Sequence, residues 1–156
     1  MPTNPQNNAV PSCCRECGGV LYSTRPIEDR TLCNSDGAAA KLLLDMACLK
    51  HEEFRVIALD VRLQVIGVNT IAVGGTTECM VDPGQVFRFL LETGASRAVI
   101  AHNHPSGISA PSEEDDAVTA RLVSGGELLG IGIIDHLIIV QNGHYSYTAA
   151  GRLPKA

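Results

Sequence analysis

The segment that most restricts this chain is the passage from Ala98 to Asp116. Four apolar residues, Ala98-Val99-Ile100-Ala101, run directly into His102-Asn103-His104-Pro105-Ser106-Gly107. After Pro111-Ser112 come four consecutive acids, Glu113 to Asp116. The apolar run reads as a buried strand, and the Pro and Gly force the chain out of the sheet into a loop. Ser112 then suits the N-cap of a helix whose first turn is acidic, matching the positive end of the helix dipole. A strand, a loop and a capped helix in immediate succession require a sheet with a helix packed on it. Polar groups collect at the strand end, where chemistry is usually housed.

The flanking sequence extends the same pattern. Ser35 or Asp36 can cap a helix in which Ala39, Leu42, Leu43, Met46 and Leu49 recur at three- and four-residue spacing. Phe54–Val61 and Val65–Val73 read as two hairpin strands with Asp60–Gln64 turning the chain. Asp82-Pro83-Gly84 precedes Val86, Phe87, Leu90 and Leu91, a short helix with Gly94 just past its end. Val118, Leu122 and Leu129 mark the buried side of the acidic-capped helix. Ile131–Val140 and Tyr145–Thr148 supply final strands, joined through the hairpin signal Asn142-Gly143. Strands interleaved with helices, some joined by hairpins, predict an α/β domain of three layers, a mixed sheet flanked by helices. Residues 36–150 form that domain, and residues 1–35, with Pro2, Pro5, Pro11 and Pro26, form an N-terminal extension.

Composition narrows the function. Across 156 residues, 12 Lys plus Arg stand against 17 Asp plus Glu, a net charge of −5. No general positive field is present to draw in phosphate backbones. Aromatics make up 4% with no Trp, too few for a binder of single strands by base stacking. No run approaches the ~18 apolar residues of a membrane span, and Met1–Val10 has neither a basic nor an apolar leader segment. A cytoplasmic protein with reduced cysteines is the expectation. Of the six Cys, Cys48 and Cys79 lie in apolar-periodic segments and read as small buried hydrophobes. Cys14-Arg-Glu-Cys17 resembles half a zinc ribbon, with Cys13 and Cys33 as further candidate ligands, but a second CxxC is missing.

The stronger metal signal contains no Cys. His102 and His104 stand two apart at a strand end, so period-two alternation points both imidazoles to one side. Asp115, in the first turn of the next helix, can fold back to add a carboxylate oxygen. Three protein ligands with a fourth position open is the arrangement of a catalytic zinc, whereas structural zinc is closed by four. A general base is then needed, and Glu52-Glu53 offers a carboxylate pair of which only one need face inward. The structural reading of the same residues is simple: Ser112 and Asp115 form a capping box, and Glu52-Glu53 is a solvated helix end.

Together, His102-Asn103-His104-Pro105-Ser106-Gly107 and Pro111-Ser112-Glu113-Glu114-Asp115 resemble the JAMM signature of JAB/MPN metalloproteins, specifically the RadC branch. The likeness runs from about Asp36 to Ser146 and includes Glu53-Phe54, Gly74–Thr76, Leu129-Gly130-Ile131 and Asp135-His136. It implies the cytidine-deaminase-like JAB/MPN architecture and a zinc-dependent hydrolase of peptide or isopeptide bonds. By the same resemblance His102, His104 and Asp115 hold the Zn2+, Glu53 is the general base, and Ser112 supports the tetrahedral intermediate. The chain departs from the family at the N-terminus, which lacks the periodicity of a helix-hairpin-helix module, at Gly84 where the family favours Arg, and at Ile108-Ser109-Ala110. These departures bear on partner recognition. A second reading makes the protein a non-catalytic DNA-repair accessory module, with Arg88, Arg97 and Arg121 as its local basic patch. An HNH nuclease would require a ββα hairpin around the motif, and Pro-Ser-Gly followed by an acidic helix stands there instead. Asp135-His136 reads as a strand-end pair or as a hydrogen-bond support for a metal ligand, and His51 and His144 read as surface residues.

Overall fold

A computed structural model describes residues 31–74 and 81–155, together with two short strands, β1 (Ser12–Cys13) and β2 (Val20–Leu21), which pair antiparallel. Of the Cys-rich half ribbon, Cys14 and Cys17 lie outside the described residues, as does Cys79. Residues 31–33 join the domain directly. The Cys33 amide donates to the Leu63 carbonyl (2.8 Å) and the Val65 amide to the Thr31 carbonyl (3.0 Å).

Helix α1 (Asp36–Leu42) is capped by Ser35, whose hydroxyl oxygen accepts from the Ala38 amide at 3.1 Å. The predicted single helix through Leu49 is divided, because Leu43 leaves helical geometry and a 3-10 turn (Leu44–Cys48) follows. A turn of three residues shifts the phase of the apolar stripe. Ala39, Leu43 and Met46 still face inward, while Cys48 is turned out to solvent, contrary to its expected burial.

The main sheet consists of β3 (Glu53–Leu59), β4 (Val65–Val73), β5 (Arg97–Asn103), β6 (Gly132–Val140) and β7 (Gly143–Ser146), in the order β4-β3-β5-β6-β7. The pairings are antiparallel apart from β5 with β6, which is parallel. A parallel pair needs a crossover, and α3 (Glu113–Leu129) supplies it; α2 (Pro83–Glu92) connects β4 to β5. The mixed sheet between helical layers is the α/β architecture expected.

Alternation along the strands divides the core in two. Phe54, Val56 and Ala58 of β3 and Ala98 and Ile100 of β5 pack against Val86, Phe89 and Leu90 of α2 and Leu122 and Val123 of α3. On the other face Ile57, Leu59, Val99, Ala101, Leu137 and Ile139 pack against Ala39, Leu43 and Met46. Cys33 is buried in this second layer, which raises its thiol pKa, chiefly through desolvation. Leu129 is exposed, unlike Leu122, because the helix ends beside it at Gly130, which takes the left-handed conformation (φ 70°) that a C-cap glycine supplies.

Helix α3 approaches β6 through Gly126. A Cβ there would lie 2.3 Å from the Ile131 carbonyl oxygen, which is backbone and unable to swing aside. Gly126→Ala should therefore destabilise the fold by about 1–3 kcal/mol, despite the higher helix propensity of Ala. Gly37→Ala, where nothing lies within 4 Å of an added Cβ, should be neutral or mildly stabilising. Urea melts of the two variants test this, and equal midpoints would refute the close approach.

Candidate metal centre

The core alternation continues into the site. His102 follows Ala98 and Ile100 on the α2/α3 face of β5 and is paired in register with Phe54, its ring parallel to the Phe54 ring at a centroid distance of 6.3 Å. His104 lies just beyond the strand, its amide donating to the Ile139 carbonyl at 3.0 Å. Gly107, at φ 80°, allows the chain to turn back so that the Ile108 carbonyl meets His104 Nδ1 at 2.7 Å. A carbonyl only accepts, so Nδ1 of His104 carries the proton and Nε2 is left for another partner.

That Nε2 lies 2.9 Å from Nε2 of His102. Asp115 completes the group, with Oδ1 3.0 Å from His102 Nε2 and Oδ2 3.5 Å from His104 Nε2. The three ligand atoms lie within 4.8 Å of one another, and this is the one such group of His, Cys, Asp or Glu found among the described residues. Two ring nitrogens and a carboxylate at this separation require a proton or a cation between them. Two imidazoles and one carboxylate suit a zinc ion with an open fourth position, so the residues fit the metal.

Asp115 is aimed by the cap of α3. Its amide donates to Ser112 Oγ (3.1 Å), and the Ser112 amide donates to Asp115 Oδ2 (2.7 Å), a complete capping box. The structural and the chemical readings of this pair therefore hold together: the cap fixes the carboxylate that faces the histidines. Burial pushes the Asp115 carboxyl up, but the hydrogen bonds from His102 and His104 outweigh it and hold the group well below the ordinary range. His104 is correspondingly raised, first by its hydrogen bond to Asp115, against burial, and then by the Ile108 carbonyl and the charges of Asp115 and Glu52.

Glu53 is a correction. Phe54 shares the His102 face, so Glu53 and Arg55 point to the opposite face of the sheet. There the Glu53 carboxylate accepts from Arg55 Nε (2.9 Å) and Nη2 (2.7 Å) and lies 3.0 Å from His51 Nε2, while Arg55 also bridges to Asp45. A carboxylate so engaged does not reach the His102–His104–Asp115 group. Glu52, one residue earlier, is the member of the pair whose charge bears on His104, after that of Asp115.

Asn103 fixes the chain at this point. Turned away from the histidines, its buried side chain accepts from the Glu53 amide (2.8 Å) and donates to the His51 carbonyl (2.9 Å), bracketing the backbone on either side of Glu52. His136, expected as a strand-end pair or a ligand support, is wholly buried, with Nε2 2.8 Å from His102 Nδ1 and Nδ1 2.6 Å from Thr119 Oγ1. Desolvation and the neighbouring His102 keep its pKa well below the usual value. Asp135 instead serves the backbone, accepting from the His136 and Thr148 amides and from Ser146 Oγ. His144 is no free turn residue: its Nε2 meets Asp36 at 3.0 Å. Asn103 and Thr119 were the neighbours of the site that the sequence reading missed, while Glu52 entered it as one member of the Glu52-Glu53 pair. The signals were, for Asn103, parity along β5 and, for Thr119, a position one helical turn after Asp115.

Comparison with known proteins adds the lineage. Residues 32–152 match the family described as RadC-like JAB domain. The chain belongs to this family. It is 41% identical over 113 residues to a UPF0758 protein of Thermotoga maritima, covering 72% of this chain and 51% of that protein. It is 37% identical over 131 residues to one of Trichormus variabilis, covering 84% of this chain and 54% of the relative. The UPF0758 protein STH371 of Symbiobacterium thermophilum is 38% identical over 135 residues, with 86% and 58% covered. The chain thus spans about half the length of the relatives it matches. No described helix is long and apolar enough to cross a membrane.

The bracket formed by Asn103 is testable without any assumption about activity. Asn103→Ala leaves the Glu53 amide and the His51 carbonyl without their partner and should cost about 1–3 kcal/mol. It should also speed hydrogen exchange at the Glu53 amide. A variant with parent stability and unchanged Glu53 protection would remove Asn103 from this role.

Proposed function

We propose that the protein is a zinc-dependent hydrolase acting on peptide or isopeptide bonds of a protein or peptide substrate in the cytoplasm, with His102, His104 and Asp115 as metal ligands. The observation that carries this reading is the convergence of two imidazole Nε2 atoms and one carboxylate at the end of β5, three candidate protein ligands with no fourth among the described residues. Membership of the RadC-like JAB family supports it. When bound, zinc supplies Lewis acidity, polarising a carbonyl and making water easier to deprotonate.

The chain's own residues then divide the work. Glu52, whose charge bears on His104, takes the proton from the attacking water and returns it to the leaving nitrogen. Glu53 stays in its ion pair with Arg55 and holds the strand entry in place. Ser112 Oγ receives the Asp115 amide through a lone pair, which leaves its own proton available to the developing oxyanion. Asp115 remains anionic, held so by the two histidines. With a net charge of −5 the chain offers phosphate backbones no general attraction, so protein rather than nucleic acid is the favoured partner.

Zinc analysis combined with a peptide-library cleavage assay tests the assignment. The parent should bind zinc in equimolar amount and His104→Ala should lose it. Glu52→Gln should retain the metal and lose at least about 10²-fold in turnover, while Glu53→Gln should keep both. A parent that binds no zinc would end the reading, and an inactive Glu53→Gln beside an active Glu52→Gln would return the base to Glu53.

A further inference from the structure

Behind His102 lies a chain of hydrogen bonds whose direction can be read from one end to the other. It ends at the backbone carbonyl of Asp115, which Thr119 Oγ1 approaches to 2.5 Å. A carbonyl oxygen has no proton to give, so the Thr119 hydroxyl must donate there. The single hydroxyl proton is thereby committed, and Oγ1 can meet His136 Nδ1, 2.6 Å away, only as an acceptor. His136 Nδ1 therefore carries the proton. In a neutral ring the other nitrogen is then an acceptor, and Nε2 of His136 receives the Nδ1 proton of His102 across 2.8 Å. With Nδ1 committed in this way, Nε2 is the His102 nitrogen that faces His104 and Asp115, where it shares a proton with Asp115 or, in the proton's place, meets a cation.

The surroundings support this arrangement. Thr119 and His136 are both wholly buried, so no solvent is present to supply a substitute partner. The His136 ring is held flat against Tyr147 (centroids 4.9 Å apart, 13° between planes) and edge-on to Phe54 (5.8 Å). Tyr147 also lies within hydrogen-bond reach of Thr119, but its own hydroxyl proton is directed to Asp116 Oδ1 at 3.0 Å, and the 2.5 Å approach of Thr119 Oγ1 to the Asp115 carbonyl keeps the threonine proton on that carbonyl. Among the ionisable groups near His136 are His102, His104, Asp115 and Asp116, and of these His102 is the one hydrogen-bonded to the ring.

We infer that Thr119 is the positioning residue that sets the proton order of the buried histidine pair, locking His136 as the Nδ1–H tautomer and so presenting the Nε2 lone pair of His102 to the metal position. The same residue closes a loop on the site, since the carbonyl anchoring it belongs to Asp115, itself a candidate ligand. Without the hydroxyl, His136 gains by moving its proton to Nε2, which would face His102 Nδ1 as a donor. His102 would then carry its own proton on Nε2, where a cation has to bind. The consequence for metal affinity rests on the zinc reading above, whereas the tautomer assignment stands without it.

The test uses the intact protein and three forms of it: the parent, Thr119→Val, which keeps the shape and removes the hydroxyl, and Thr119→Ser, which keeps the hydroxyl. Nitrogen NMR of the metal-free parent should show His136 protonated at Nδ1 and bare at Nε2. In Thr119→Val that pattern should be lost, and zinc affinity, measured by competition with a chelating dye, should fall about 10- to 100-fold. Thr119→Ser should restore both, which a purely volumetric role for Thr119 would not predict. Should Val fail to fold, the parent spectrum and the serine variant still decide the matter. An Nε2–H tautomer of His136 in the parent, or parent-like zinc affinity in a folded Thr119→Val, overturns the inference. If the parent itself binds no zinc, the proposed function fails, and the NMR pattern alone then upholds or overturns the role of Thr119.

Discussion

Period-two alternation along β5 is the constraint on which the rest of the molecule depends. Ala98, Ile100 and His102 point to the layer formed by α2 and α3, and Val99, Ala101 and Asn103 point to the layer of α1 and its 3-10 turn. The apolar members anchor the strand in both halves of the core, with Ala98, Ile100 and Ala101 completely buried. A slip of one residue would reverse every side chain. It would place the two histidines under α1 and Asn103 at the site, so burial of the strand and orientation of the chemistry are enforced together. The parallel neighbour β6 extends the same logic, because its register sets His136 beside Ile100 and hence behind His102.

Polar groups brought so deep must be paired, and the pairing itself gives the site its shape. No buried side-chain nitrogen or oxygen among the described residues lacks a hydrogen-bond partner. Asn103 satisfies the backbone at the start of β3 and in doing so fixes the chain on either side of Glu52. The capping box of α3 satisfies two helix-end amides and in doing so aims Asp115. His136 and Thr119 satisfy one another between the His102 imidazole and a helix carbonyl. In each case a requirement of folding and a requirement of chemistry are met by the same hydrogen bond. The C-terminal segment closes the arrangement, with Arg152 and Tyr147 both held by Asp116 next to Asp115.

The order of strands and helices, the hairpins and the cap at Ser112 could be read from the sequence because they depend on local signals: apolar periodicity, Asn142-Gly143, and a polar cap ahead of acids. The pairing of His102 with His104 was legible for the same reason, since a spacing of two at a strand end is a local geometric fact. The RadC resemblance rested on those same residues, and the family match over residues 32–152 agrees with it. Local signals were insufficient at Leu43, where a change from α to 3-10 geometry turned Cys48 outward.

What the sequence by itself determined, then, is a mixed α/β domain with a histidine pair at the end of a buried strand and an acid opening the following helix. That Glu53 of the Glu52-Glu53 pair is held away from those histidines was decided only by tertiary structure. This turns on the antiparallel register of β3 against β5 and on Arg55 and His51 capturing Glu53 on the far face. Thr119 and His136 likewise become a unit only when α3 packs over β6, which brings residues 17 positions apart into hydrogen-bond contact. Parity and capture depend on partners distant in sequence, and spacing along one chain carries no record of them.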